Sequence, residues 1–159
     1  AILTAVRSGE VRGALWSEMN LTERLWLIPG DRMKAGREHR IPLSVAAIAV
    51  LKRMQEYHVS DYVFPGVKQD KPLSDMSLTA ALKRMGRSDL TAHGFRSTFR
   101  DWASETTAYP QEVCEMALAH TIANKVEAAY RRGDLFDKRI HLMNDWANYC
   151  NDLAADTDS

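Results

Sequence analysis

The sequence predicts a mainly α-helical domain with a small three-stranded antiparallel sheet near its start, and three observations carry that prediction. Short apolar or alternating segments crowd between residues 15 and 41, separated by residues that favour turns. From Ser44 onward, apolar residues recur instead at helical spacing, with capping residues or Pro at the segment starts. The 159 residues are 45% hydrophobic and include eight Gly and five Pro, with no internal repeat or low-complexity linker, which suits one domain with its own core.

Residues 1 to about 13 are expected to form a helix with Ile2, Leu3, Val6 and Val11 toward one side. Three strands follow, Leu15–Met19, Arg24–Ile28 and His39–Ile41, with the loops around Asn20–Glu23 and around Pro29–Gly36 between them. Ser44 can cap a helix carrying Val45, Ile48, Leu51 and Met54. Ser74 or Asp75 can cap one carrying Leu78, Leu82 and Met85, with Gly86 just past its end. Thr91 caps a helix holding His93 and Arg96, and Pro110 suits the first position of the next. Asn124 with Glu127 resembles a capping box for a short helix ending at Arg131-Arg132-Gly133. From Asp134 a last helix places Phe136, Ile140, Met143 and Ala147 beside Leu135, Leu142 and Trp146, then gives way at Asn151 to an acidic tail expected to be mobile.

Charge and cysteine content narrow the function classes. Lys plus Arg and Asp plus Glu number 21 each, so bulk positive charge cannot drive nucleic-acid binding and any DNA contact must be local. Basic residues do cluster, at Arg32–Arg40 and Lys83–Arg87, while the chain after Asn144 carries only acids. Cys114 and Cys150 are too few and too far apart for a disulfide framework or a zinc site, and read as small hydrophobes. No apolar run is long enough for a membrane span, and no signal-like start is visible, so no membrane association is expected. Ala1–Arg7 reads as the middle of an amphipathic helix without an initiator Met, so the chain is expected to be a fragment.

The chemistry is concentrated in Thr91-Ala-His93-Gly-Phe-Arg96. Positions three apart share a helix face, which aims an imidazole and a guanidinium at one spot. A guanidinium forks two donors onto phosphate oxygens, and an imidazole can trade a proton near neutral pH. A His-x-x-Arg pair alone also occurs on solvated helix faces, so its neighbours decide. Arg7 sits in Thr4-Ala-Val-Arg7-Ser-Gly-Glu10, with Glu10 one turn away as an orienting partner. Lys34 stands at a hairpin tip before Arg40-Ile-Pro-Leu43, and Leu118-Ala-His120 is followed ten residues later by Tyr130.

This ordered set resembles the catalytic domain of the tyrosine recombinases, particularly the phage and genomic-island integrases, from Thr4 to about Gly133. The resemblance implies the tyrosine recombinase catalytic-domain fold over residues 1–159, without the core-binding and arm-binding domains that precede it in the family. It implies that Arg7 and Arg96 hold the scissile phosphate, that Lys34 is the hairpin lysine, that His93 and His120 are the two pocket histidines, and that Tyr130 is the nucleophile. Two departures are visible: the common Leu-Gly-His reads Leu118-Ala119-His120, and the interval to Tyr130 is one residue longer than in many members.

The implied reaction has a physical basis. Attack on a phosphodiester adds charge to its non-bridging oxygens, so two arginines stabilise the transition state more than the ground state. A tyrosine hydroxyl is mostly protonated at neutral pH and needs a base or a cationic pocket, for which His93 is suited. Lys34 can protonate the departing 5′ oxygen, and His120 can donate to a non-bridging oxygen. The 3′-phosphotyrosyl link conserves the phosphoester, so no cofactor and no metal are expected. The expected partners are double-stranded DNA attachment sites, a tetramer on DNA with the isolated chain monomeric, and accessory DNA-bending proteins, in a cytoplasmic, nucleoid-associated setting. A type IB topoisomerase-like reaction and a non-catalytic DNA-binding module are the alternatives. His39, His58 and His141 are read as non-catalytic, and Trp16, Trp26, Trp102 and Trp146 as core.

Overall fold

The computed structural model describes residues 1–68, 70–120 and 133–157. In chain order these form α1 (Ser8–Arg12), β1 (Met19–Asn20), β2 (Leu25–Ile28), β3 (His39–Pro42), α2 (Val45–Glu56), α3 (Ser77–Arg84), α4 (Gly94–Thr106), α5 (Gln111–Ala117) and α6 (Phe136–Thr157). Single 3-10 turns cover Ile2–Thr4, Trp16–Glu18 and Gly30–Arg32. The architecture is the mostly helical one expected, with a three-stranded antiparallel sheet in the order β1-β2-β3. Trp26 pairs with Met19 on one side and Ile41 on the other, and Leu27 faces Arg40 across the β2–β3 ladder. Strand alternation buries Trp26 and Ile28 and turns Leu27 outward.

Apolar burial falls into two clusters that meet at the N-terminal segment. One joins Phe99 and Trp102 of α4, Val113 and Cys114 of α5, and Leu142, Met143 and Trp146 of α6, together with Ala5. The other joins Trp26, Ile28 and Ile41 of the sheet, Leu51 of α2, and Val6 and Val11. Because Ala5 belongs to the first and Val6 to the second, residues 1–7 run along the seam. The Trp146 indole N–H fastens that segment by donating to the Ile2 carbonyl at 2.9 Å. Phe99 meets Trp146 edge to face, with centroids 5.4 Å apart.

Several sequence expectations need correction. Residues 1–13 are not one helix: Ala5 takes a left-handed conformation, φ 51°, and separates the Ile2–Thr4 turn from α1. The expected strand at Leu15–Met19 shrinks to Met19–Asn20, because Glu18 folds residues 16–18 into a turn. Its carboxylate accepts from the Leu15 N–H, the Trp26 indole and the Arg32 guanidinium, so the acid is satisfied internally. Helix α3 begins at Ser77, since the Ser74 hydroxyl meets the Ser77 hydroxyl rather than a helix N–H. None of its residues is fully buried; its apolar stripe lines a groove of about 600 Å³ shared with α2. Pro110 caps α5 instead of opening it. Helix α6 continues through Thr157, so the acidic stretch from Asn151 is helical where a mobile tail was expected. The short helix expected from Asn124 to Gly133 lies outside the described residues, save Gly133 itself. Ser44 caps α2 as expected, accepting from the Ala47 N–H at 3.2 Å.

Phe99 is fully buried between α4 and α6. Phe99→Ala is expected to lower the unfolding free energy by about 3–5 kcal/mol. In urea denaturation this reads as a lower midpoint at unchanged m value. A loss below about 1 kcal/mol would show that this contact does not join the helices.

Candidate active site

The break at Ala5 sets up the first site residue. After it the chain re-extends through Arg7, which stands at the N-cap of α1 with φ −68° and ψ 150°. Glu10 closes that turn from inside: one carboxylate oxygen accepts the Arg7 backbone N–H at 2.9 Å and the other its guanidinium at 3.2 Å. Glu10 is buried, whereas the Arg7 side chain is 33% exposed, so the acid fixes the base of the arginine and leaves part of its fork open.

Arg96 lies in the first turn of α4 and is only 5% exposed. Its guanidinium donates to the Ala5 carbonyl at 2.6 Å and to the Leu118 carbonyl at 2.8 Å, and stands 3.5 Å from the His120 Nε2. Burial first, then the charge of Arg7, pull its pKa below the ordinary arginine value, while Glu10 opposes the change. A guanidinium remains cationic under such perturbation at neutral pH. Arg7, Arg96 and His120 are therefore gathered into one cluster, although 113 residues separate the outer two in sequence.

His120 is aimed by a residue that the sequence reading did not single out. Its Nδ1 lies 2.6 Å from a Glu115 carboxylate oxygen, whose other oxygen accepts from Arg100 at 2.9 Å. An Nδ1–H donated to Glu115 turns Nε2 toward Arg96. This contact spans five residues and depends on Ala119 adopting φ 52° at the end of α5, which reverses the chain so that His120 folds back on the helix. Helical spacing alone would not pair positions 115 and 120, so no simple pattern marked Glu115. The left-handed turn also gives the Leu-Ala-His departure a physical meaning, because alanine is strained where the usual glycine is not.

The other expected residues have different standings. His93 is the N-cap of α4, where the Thr91 hydroxyl accepts the Gly94 N–H at 3.0 Å. It is exposed while Arg96 is buried, and among the described residues its ring has no hydrogen-bond partner. Lys34 is exposed in the β2–β3 connection, as a hairpin-tip residue should be, and makes no ion pair with a described residue. Tyr130, with Arg131 and Arg132, lies outside the described residues.

His39, read as non-catalytic, sits on β3 beside the cluster and is buried. Burial, followed by the charge of Arg139, pulls its pKa down to about 4, with Arg7 adding a smaller push, while a hydrogen bond to the Ala117 backbone and then the charge of Asp134 oppose it. The unfolded imidazole, near 6.5, binds the proton that the folded one refuses, so stability is present above pH 6.5 and lost as pH falls toward 4. The span of that loss is on the order of 3 kcal/mol. His39→Gln should flatten this part of the profile in urea titrations at pH 7.5 and 4.5, and an unchanged slope would refute the assignment.

Comparison with known proteins places the chain in a family. The chain matches the Phage integrase family over residues 1–135. It is 37% identical to the prophage integrase IntA of Escherichia coli K12 over 99% of its own length and 38% of that protein's. It is 35% identical to the prophage integrase IntZ of the same strain over 97% of its length and 39% of that protein's. Against the integrase of Enterobacteria phage P4 the identity is 32% over 94% of the chain and 38% of the relative. The chain thus spans less than half the length of these curated relatives. No solved structure matches it significantly. A match covering most of the chain, over the stretch that carries Arg7, Arg96 and His120, makes this protein a member of the phage integrase family.

Proposed function

We propose that the chain is the catalytic domain, in the tyrosine recombinase fold, of a site-specific DNA recombinase that cuts and rejoins strands at attachment sites of a mobile element. The observation that carries this reading is the convergence of Arg7, Arg96 and His120 on one spot. Among the described residues Arg96 is held by carbonyl oxygens and no carboxylate, so its charge stays available to an anion. A phosphodiester bridging Arg7 and Arg96 would have its developing charge met from two directions.

Each group then has a role in one transfer. The Tyr130 oxygen attacks phosphorus, the bond to the 5′ oxygen breaks, and a 3′-phosphotyrosyl ester forms. His93, exposed at the mouth of α4, takes the tyrosine proton. The Lys34 ammonium supplies a proton to the leaving 5′ oxygen. His120, its Nδ1 turned to Glu115, donates from Nε2 to a non-bridging phosphate oxygen. A 5′ hydroxyl from another strand reverses the sequence, so rejoining needs no external energy. Work on two duplexes calls for a tetramer on DNA, with accessory DNA-bending proteins as further partners.

Protein incubated with a nicked attachment-site duplex is expected to give an adduct that survives a denaturing gel. Tyr130→Phe should abolish it, and Arg96→Lys, which keeps charge but loses the fork, should slow it about 100-fold or more. Adduct from Tyr130→Phe would remove that residue as nucleophile. Relaxation of plasmid lacking any attachment site, without recombinant product, would favour the topoisomerase-like alternative.

A further inference from the structure

A further cluster of charges lies just past residue 132, where the chain enters α6. Both Asp134 carboxylate oxygens receive Arg40 of β3, at 2.7 Å from Nε and 2.6 Å from the terminal nitrogen. Arg139, 1% exposed, donates from Nε to the Asp134 carbonyl at 2.8 Å, from one terminal nitrogen to the Arg40 carbonyl at 2.6 Å, and from the other to the Asp134 carboxylate at 3.0 Å. The Phe136 ring lies against both guanidiniums, 4.4 Å and 5.6 Å from its centroid. Leu135 is held at φ 55°, a left-handed conformation that is strained for a non-glycine residue and persists only where surroundings dictate it.

This is more than a surface ion pair. A bidentate carboxylate contact fixes orientation as well as distance, and a buried Arg139 makes displacement of either partner costly. Its two sides are also informative. Arg40 lies on the returning strand of the hairpin whose connection carries Lys34, opposite Leu27 of the outgoing strand. Asp134 lies two residues beyond the segment that contains Tyr130.

We propose that Asp134, gripped by Arg40 and Arg139, is a positioning residue that locks the lysine hairpin to the start of α6, and so sets the proton donor for the leaving oxygen. This inference rests on the roles proposed above for Lys34 and Tyr130. Its consequence is specific: loosening the clamp should impair protonation of the leaving 5′ oxygen most. A general loss of fold would impair every step alike.

A 5′-bridging sulfur in the scissile linkage separates these outcomes, because a thiol ionises near pH 8.5 and the thiolate leaves without a proton donor. The full-length protein would be assayed by single-turnover cleavage on oxygen and sulfur versions of its attachment-site duplex. Lys34→Ala should be slow on oxygen and largely restored on sulfur. Asp134→Asn and Arg40→Gln should follow the same pattern, each about 10- to 100-fold slower on oxygen and within about 3-fold of wild type on sulfur. Because the Arg40 side chain is 41% exposed, Arg40→Gln serves if Asp134→Asn does not fold. Equal losses on both substrates, or no loss on oxygen, would overturn the clamp. Lys34→Ala that is not restored by sulfur would instead overturn the lysine reading, so the two failures are distinguishable.

Discussion

The burial of Arg96 is the constraint on which the rest of the arrangement depends. A guanidinium withdrawn from water must have its N–H groups met, and here the acceptors are the backbone carbonyls of Ala5 and Leu118. Those residues lie on the N-terminal segment and at the end of α5, so one side chain of α4 fixes both relative to itself. The same bonds present Arg7, two residues past Ala5, and His120, two residues past Leu118. Replacing a carbonyl acceptor by a carboxylate would satisfy the donors equally and cancel the charge. The fold therefore holds Arg96 with dipoles and, among the described residues, leaves its charge without a bonded carboxylate.

Four other arginines show the contrast. Arg7 is paired with Glu10, Arg32 with Glu18, Arg40 with Asp134 and Arg100 with Glu115. In a chain with equal numbers of acids and bases, these pairings set off Arg96, which among the described residues is buried with no carboxylate bonded to it. Glu10 and Glu115 are not attackers or proton donors in this picture. Each fixes the direction of one basic group, the first for Arg7 and the second for His120.

Backbone strain is placed on either side of the 121–132 segment. Ala119 and Leu135 both take left-handed conformations that glycine would adopt freely. Ala119 is fixed by α5, whose Met116 carbonyl accepts its N–H at 3.1 Å, and Leu135 by the Arg139 contacts around it. Ala5 repeats the pattern at the start, where a strained residue offers its carbonyl to Arg96.

Much of this was legible from residue order. Capping by Ser44, the period of α2 and α6 and the alternation of β2 are local patterns that a one-dimensional reading captures, and the order of Arg7, Arg96 and His120 marked the three groups that the fold gathers. What failed was also consistent. The N-terminal helix was broken because Ala5 yields to Arg96, a partner 91 positions away, and the first strand was shortened by a buried Glu18 whose contacts lie on β2 and beyond it. Glu115, Asp134 and Arg139 carried no signal, since each acts only after the chain has reversed at a left-handed residue. The sequence by itself determined which chemical groups are present and in what order. Only the tertiary structure decided which carboxylates aim them and which carbonyls hold Arg96, because those choices are made by contacts between segments whose sequence separation hides them.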